Sequence, residues 1–272
     1  MIRNSKFITY FSCAALMVAI LASSSFANRR RFTYTYETGV LPKGVLELEI
    51  WNTLRTDKNK FYRGIDHRAE LELGLGGSFQ TSLYFNLSST SNYDPAAGIV
   101  TGNEFSISNE WKYSFSDPVA DAIGSALYGE WTLKPDEVEL EGKLLLDKQL
   151  GSLLIAANAI YEHESLAVGD ESENIFETTL GLTYLVDENF TIGLEARYHS
   201  VSGKDEGAAT EEESKSAIFL GPTISYSSEK WWAAFSLMPQ IGLGDNKTGT
   251  SSPLELEEHE KVEARLLFAV HL

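Results

Sequence analysis

Cysteine is nearly missing from this 272-residue chain: the single copy, Cys13, falls in an N-terminal leader, which leaves neither a disulfide framework nor a thiolate metal site to the rest. No stretch of about 18 uninterrupted apolar residues occurs, which excludes a membrane-spanning helix but not a barrel of strands. Positive charge is scarce as well, with 22 Lys and Arg against 39 Asp and Glu. No basic cluster interleaves with aromatics, so the chain repels a phosphate backbone and nucleic acid is not an expected partner. His67, His199, His259 and His271 share no metal-ligand spacing, and the sequence points to no metal and no cofactor. With 43% hydrophobic residues the chain is too apolar to be disordered.

Residues 1–27 read as a secretory signal peptide. Arg3 and Lys6 form the positive start, Phe7 to Ala22 the apolar stretch, and Ser25-Phe26-Ala27 the cleavage site. Cys13 follows Tyr10-Phe11-Ser12 near the start of that stretch, which is the wrong place for lipidation.

From Gly44 onward the chain alternates with a period of two. Leu46, Leu48 and Ile50 share one face, with Glu47, Glu49 and Trp51 on the other. Ala69, Leu71, Leu73 and Leu75 stand against Arg68, Glu70 and Glu72, and the pattern continues to Val262, Ala264, Leu266, Phe268, Val270 and Leu272. Twelve such segments are predicted. Their apolar faces carry no Asp, Glu, Lys or Arg, whereas the opposite faces carry many. Apolar outside and polar inside describes an all-β, antiparallel, up-and-down transmembrane barrel over residues 44–272. The connections mostly alternate long and short, as outer loops and periplasmic turns do: Thr56 to Tyr62, then Gly76-Gly77; Thr90 to Asn103, then Ser116 to Ala122. Pro135 to Glu137 breaks that pattern by being short. Pro222 and Pro239 fall inside strands, where each removes a ladder donor, so bulges or strand ends are expected there.

Leader, segments and closing strand together resemble a Gram-negative outer-membrane barrel protein of porin type over the whole mature chain. Tyr36-Glu37-Thr38, Leu41-Pro42-Lys43-Gly44, Glu47-Leu48-Glu49-Ile50-Trp51 and Arg68-Ala69-Glu70-Leu71-Glu72 resemble the start of a family of functionally uncharacterised bacterial barrels. The resemblance implies residence in the bacterial outer membrane, contact with its lipid and lipopolysaccharide, and insertion by the barrel-assembly machinery. Barrels of this class usually end on an aromatic residue, whereas this chain ends on Leu272, with Phe268 the nearest aromatic in register.

Residues 28–43 are a separate segment, in which Phe32, Tyr34 and Tyr36 alternate with threonines. An extra strand, a periplasmic extension and a segment tucked into the lumen are all compatible with it. The run Asn28-Arg29-Arg30-Arg31 reads as a solvated basic start.

Twelve strands leave a lumen between one filled by side chains and an aqueous channel, so a narrow or partly plugged pore is expected. Its lining is predicted to include Glu47, Glu49, Arg68, Glu70, Glu72, Lys112, Glu130, Glu141, Lys143, Arg197 and Arg265. Carboxylates prevail, which favours passive passage of small cations or neutral polyhydroxylated solutes through an acidic passage. The same charges also suit a structural ion-pair network. The outer loops 164–174, 202–214 and 242–259 are acidic too, a setting for divalent cations that bridge to lipopolysaccharide. Two other classes stand beside the pore. His163 and Ser165, with Glu177 on the next strand, are similar to the nucleophile and base of outer-membrane lipid A deacylases and phospholipases, which would make the protein a lipid hydrolase. By register, however, Glu177 faces the lumen and His163 faces lipid. A structural or adhesive barrel without a pore is the third reading.

Overall fold

Strands with one apolar and one polar face leave unpaired backbone groups at every sheet edge, and closure removes the edges altogether. The computed structural model describes residues 29–166, 169, 171–204, 214–242 and 253–272. Twelve strands form among them: β1 (Leu46–Thr56), β2 (Tyr62–Gly76), β3 (Phe79–Asp94), β4 (Gly98–Ser116), β5 (Gly124–Leu133), β6 (Glu137–Leu150), β7 (Leu153–Leu166), β8 (Ser172–Leu185), β9 (Phe190–Lys204), β10 (Lys215–Ser227), β11 (Trp231–Ile241) and β12 (Val262–His271). Each pairs antiparallel with its chain neighbours. β12 returns to β1 from Glu47↔His271 to Thr56↔Val262, so the sheet is a closed up-and-down barrel. The signal peptide over residues 1–27 lies outside the described residues, as do residues 205–213 of the acidic loop 202–214 and residues 243–252 of the acidic loop 242–259. Among the described residues no helix is long and apolar enough to cross a membrane.

The alternation sets the two surfaces of the wall. Leu71, Leu73, Phe85, Leu127, Leu144, Leu180, Leu194 and Leu266 all stand exposed on the outside. An apolar surface this extensive is stable only against lipid or a partner. Aromatic rings line its edge at the end where the chain terminates, with Phe79–Tyr113 at 4.6 Å, Tyr113–Phe115 at 4.9 Å and Tyr226–Trp231 at 5.3 Å between centroids.

Three details differ from the sequence expectation. The stretch 90–103 is not a loop: β3 runs to Asp94 and β4 starts at Gly98, with a turn of residues 95–97 between them. Asp94 Oδ1 accepts the amides of Ala96 and Ala97 at 2.7 and 2.8 Å, and Gly98 takes a φ of 83°. β4 pairs with β5 only up to Ile107↔Leu133, so this hairpin projects beyond the wall. Strands that leave an apolar setting need no apolar face, and Ser91 bonding Thr101 at 2.9 Å replaces it. The stretch 164–174 is likewise shorter than expected, since Glu164 and Glu173 are ladder partners. Pro222 and Pro239 make neither a bulge nor a strand end. The β10–β11 register is the same on either side, and pairing merely lapses between Phe219↔Gln240 and Thr223↔Ser236. There the strands close in on each other, and a Cβ on Gly221 would sit 1.7 Å from the Leu237 carbonyl oxygen.

Candidate functional site

The inner wall encloses residues 29–43, which resolves the three placements open for this segment in favour of the lumen. Phe32, Tyr34, Tyr36 and Leu41 are buried inside the barrel, and the segment forms no ladder with any strand. Inward side chains substitute for a pairing strand. The Glu195 carboxylate accepts the backbone N–H groups of Thr33, Tyr34 and Thr35 at 2.8, 2.8 and 3.0 Å. Asn158 mimics a peptide unit, accepting from Tyr36 N–H at 2.6 Å and donating to Tyr36 C=O at 2.9 Å. Asp147 takes the Thr38 amide at 2.9 Å and its hydroxyl at 2.7 Å, and Gln80 Oε1 takes the Leu41 amide at 2.8 Å. These bonds satisfy the backbone donors that a buried extended segment would otherwise strand, at about 1–3 kcal/mol each.

Glycines make the room. Gly181 and Gly221 are the ladder partners of Glu195 on its two neighbouring strands, and of the two it is Gly181 that borders the segment, Gly221 facing the Leu237 backbone. A Cβ on Gly181 would meet the Phe32 ring at 2.4 Å, and one on Gly74 would meet the Pro42 carbonyl oxygen at 2.1 Å. The plug therefore touches the wall where the wall has no side chain.

Arg30 corrects the expectation of a solvated basic start. It is buried, with its guanidinium 4.2 Å from the Tyr36 ring centroid and 4.5 Å from that of Trp51. A planar, weakly hydrated cation tolerates this burial because ring faces and nearby carboxylates replace water. The stack continues with Arg265 over Tyr34 at 3.8 Å, Lys143 over Tyr36 at 4.0 Å and Arg68 over Tyr84 at 4.5 Å.

Beyond Tyr34 and Tyr36 the lumen opens into a cavity of about 540 Å³. Of the predicted lining residues, Arg68, Glu130, Glu141, Lys143, Arg197 and Arg265 face this cavity. Glu47, Glu49, Glu70, Glu72 and Lys112 also point inward, but they lie buried nearer the terminal end of the barrel, at the level of the plug. Other lining residues escaped the sequence prediction: Arg55, Asp66, Glu162, Glu164 and, from the plug itself, Tyr34 and Tyr36. The inward alternation of β1, β2 and β7 already marked the wall residues among them. The charges interleave. Arg197 bridges Glu177 and Glu263 at 2.6 Å each, Lys143 meets Glu141 at 2.8 Å, Arg55 meets Asp66 at 2.9 Å, and Lys134 reaches Glu164 at 2.9 Å.

At the far mouth the chain folds inward before β12. Lys261 N–H donates to Asp57 C=O at 2.7 Å, and Gln240 Nε2 donates to Glu255 C=O at 2.7 Å. His259 Nδ1 contacts Glu255 Oε2 at 2.5 Å, and its Nε2 lies 2.9 Å from His199 Nδ1 on β9. Burial pushes the Glu255 carboxyl up, but the His259 ring and the amides of Glu257 and His259 outweigh it and hold the group at about 2, below its ordinary 4.5. A depressed carboxyl stabilises its fold above its ordinary value and loses that contribution as pH falls towards the depressed one. Proteolysis of the folded protein at residues 253–261 is expected to accelerate below about pH 4.5. A cleavage rate independent of pH would contradict this.

The hydrolase constellation does not assemble. His163 and Ser165 lie on the outward face of β7, with His163 Nδ1 2.8 Å from Asn174 Oδ1. Glu177 points inward and accepts from Arg197 Nε at 2.6 Å. The barrel wall separates the proposed acid from the proposed base, so Glu177 cannot orient His163.

Comparison with solved structures places this barrel among outer-membrane channels by fold. The COG4313 outer membrane channel from Pseudomonas putida F1 superposes with a TM-score of 0.63 at 11% identity, over 89% of this chain and 100% of that one. The NanC porin superposes with a TM-score of 0.52 at 11% identity, over 83% of this chain and 100% of the porin. No functionally curated protein matches the sequence. A family model does match it over residues 24–272, and the chain belongs to that family, described as a family of unknown function, DUF6662.

Proposed function

We propose that the protein is an outer-membrane channel for small hydrophilic solutes, closed near its periplasmic end by its own residues 29–43. The observation that carries this reading is the charged cavity bounded on one side by a segment attached to the wall through side chains alone. A segment held this way can leave without breaking the barrel, because the β1–β12 closure does not include it. The outward apolar faces would then contact outer-membrane lipid and lipopolysaccharide, with the termini towards the periplasm. Nine carboxylates against six Lys and Arg line the cavity, an excess that favours cations or neutral polyhydroxylated solutes over anions by focusing the field.

Planar-bilayer recordings test this reading. The wild-type barrel should conduct weakly with a cation-favouring reversal potential, and the pair Glu162→Lys and Glu164→Lys should move that potential towards anions. Both residues line the cavity. An unchanged potential would remove the selectivity, and the absence of conductance even without the plug would leave a structural barrel.

A further inference from the structure

Five carboxylates crowd the inner wall beside the plug. Glu47 and Glu49 on β1 stand directly opposite Glu72 and Glu70 on β2, and Glu110 on β4 reaches the same patch across β3. Like charges placed opposite one another destabilise an antiparallel pair. All five are at most 5% exposed, and unpaired buried carboxylates are strongly unfavourable even after relaxation. Their own neighbours do not compensate. None of the ion pairs among the described residues involves Glu49, Glu70, Glu72 or Glu110. Trp51 donates to Glu49 at 2.8 Å and Tyr84 donates to Glu110, while both oxygens of Glu70 and Oε2 of Glu72 have no partner. Arg30, Lys112 and the half-buried Arg68 are the cations nearby, three positive charges for five negative ones.

A separate side chain points the same way. The hydroxyl of Ser82 on β3 is buried with 1% exposure and has no hydrogen-bond partner. Ser82 sits in register between Glu72 and Glu110, on the same inward face. A neutral oxygen and three carboxylates thus converge with a single internal donor among them, the Tyr84 hydroxyl on Glu110. Oxygens of Glu70, Glu72 and Glu110 lie within 4.8 Å of one another, as do oxygens of Glu47, Glu49 and Glu72.

We propose that Glu70, Glu72, Glu110 and Ser82 Oγ hold a divalent metal cation, with Glu72 shared by the adjoining Glu47 and Glu49. The ligand set is oxygen only, which selects a hard ion over zinc or copper. Calcium, with contacts of about 2.3–2.6 Å, spans oxygens up to roughly 5 Å apart, whereas magnesium at about 2.0–2.1 Å spans only about 4 Å. Calcium is the better fit. The ion would neutralise the patch between three strands and stiffen the wall against which the plug rests. Neither point depends on solute passage. Sequence spacing could not show this site, because its ligands come from three separate strands.

Calcium titration of the folded, chelator-treated full-length barrel in detergent tests the proposal by calorimetry, with the unboiled gel mobility certifying the fold. One saturable equivalent of calcium is expected in the wild type. Glu72→Gln should lose it or weaken it at least about tenfold, as loss of a charged ligand does. Glu257→Gln and Glu258→Gln on the outer strap should retain it. If Glu72→Gln fails to fold, Ser82→Ala and Glu110→Gln replace it, and each should weaken binding several-fold. No saturable binding in the wild type would overturn the site, the carboxyls being instead protonated. Binding of undiminished affinity in the inner-wall variants would also overturn it, placing the ion on the outer loops.

Discussion

Removal of residues 29–43 is expected to raise single-channel conductance by about fivefold or more, because twelve strands without a filling segment enclose an aqueous passage. The segment obstructs the lumen with whole side chains. Phe32, Tyr34, Tyr36 and Leu41 all lie inside, each less than 10% exposed. Tyr36 also packs on Trp51 at 6.2 Å and edge-on to Tyr128 at 5.5 Å, which brings opposite parts of the wall into one cluster. The barrel itself should survive the deletion. Its ladders run strand to strand around the whole circumference, and the plug contributes to none of them. The loss falls on burial, since Trp51, Tyr128, Leu145 and Leu154 exchange plug contacts for lumenal water at about 1.5–3 kcal/mol per large side chain. Recordings of the truncated barrel in planar bilayers, on protein whose gel mobility still shifts on boiling, give the measurement. Equal conductance with and without the segment would mean that passage is limited elsewhere.

The wall was legible in the sequence because every strand obeys one physical rule, and the rule leaves a period-two trace. Leu71 and Leu73 cannot exchange faces with Glu70 and Glu72 without placing charge against the outside, so register follows from the pattern. The β3–β4 hairpin was not legible for the same reason in reverse. Its Ser, Thr, Asn and Gly residues satisfy no apolar face, so nothing periodic marks it. The plug left a partial trace in the alternation of Phe32, Tyr34 and Tyr36 with threonines, but alternation alone does not say what a segment lies against. Its destination was written instead in the wall, in inward residues too small or too specific to be filler: Gly181 and Gly221 flanking Glu195, Asn158, Asp147 and Gln80. These come from six strands and converge only in the closed barrel. The acidic excess was visible in composition, yet the cation–aromatic stack that receives Arg30 depends on Trp51 and Tyr36 meeting across the lumen, which no local pattern encodes.

Glu195→Ala is expected to release the plug from an intact barrel. One buried carboxylate accepts three successive backbone amides, and Thr33 adds a hydroxyl donor to the same group at 3.3 Å. Hydrogen bonds to an ionised acceptor contribute about 1.5–3 kcal/mol each, and the amides left behind would be buried without partners. Non-additivity reduces the sum, and about 4 kcal/mol is a fair magnitude for the loss. That shifts the docked-to-released ratio by about a thousandfold, at 1.4 kcal/mol per factor of ten. Trypsin provides a direct readout. Arg30 is 6% exposed in the docked plug and inaccessible to a protease, whereas a released segment offers Arg30 and Arg31 at once. The variant should therefore be cut near its mature N-terminus while the barrel remains resistant, and its conductance should approach that of the truncated protein. Glu195→Gln should fall between the two, because one amide oxygen still accepts while the new NH₂ group faces donors. Cutting no faster than in the wild type would mean that Asn158, Asp147 and the Arg30 stack hold the segment without Glu195.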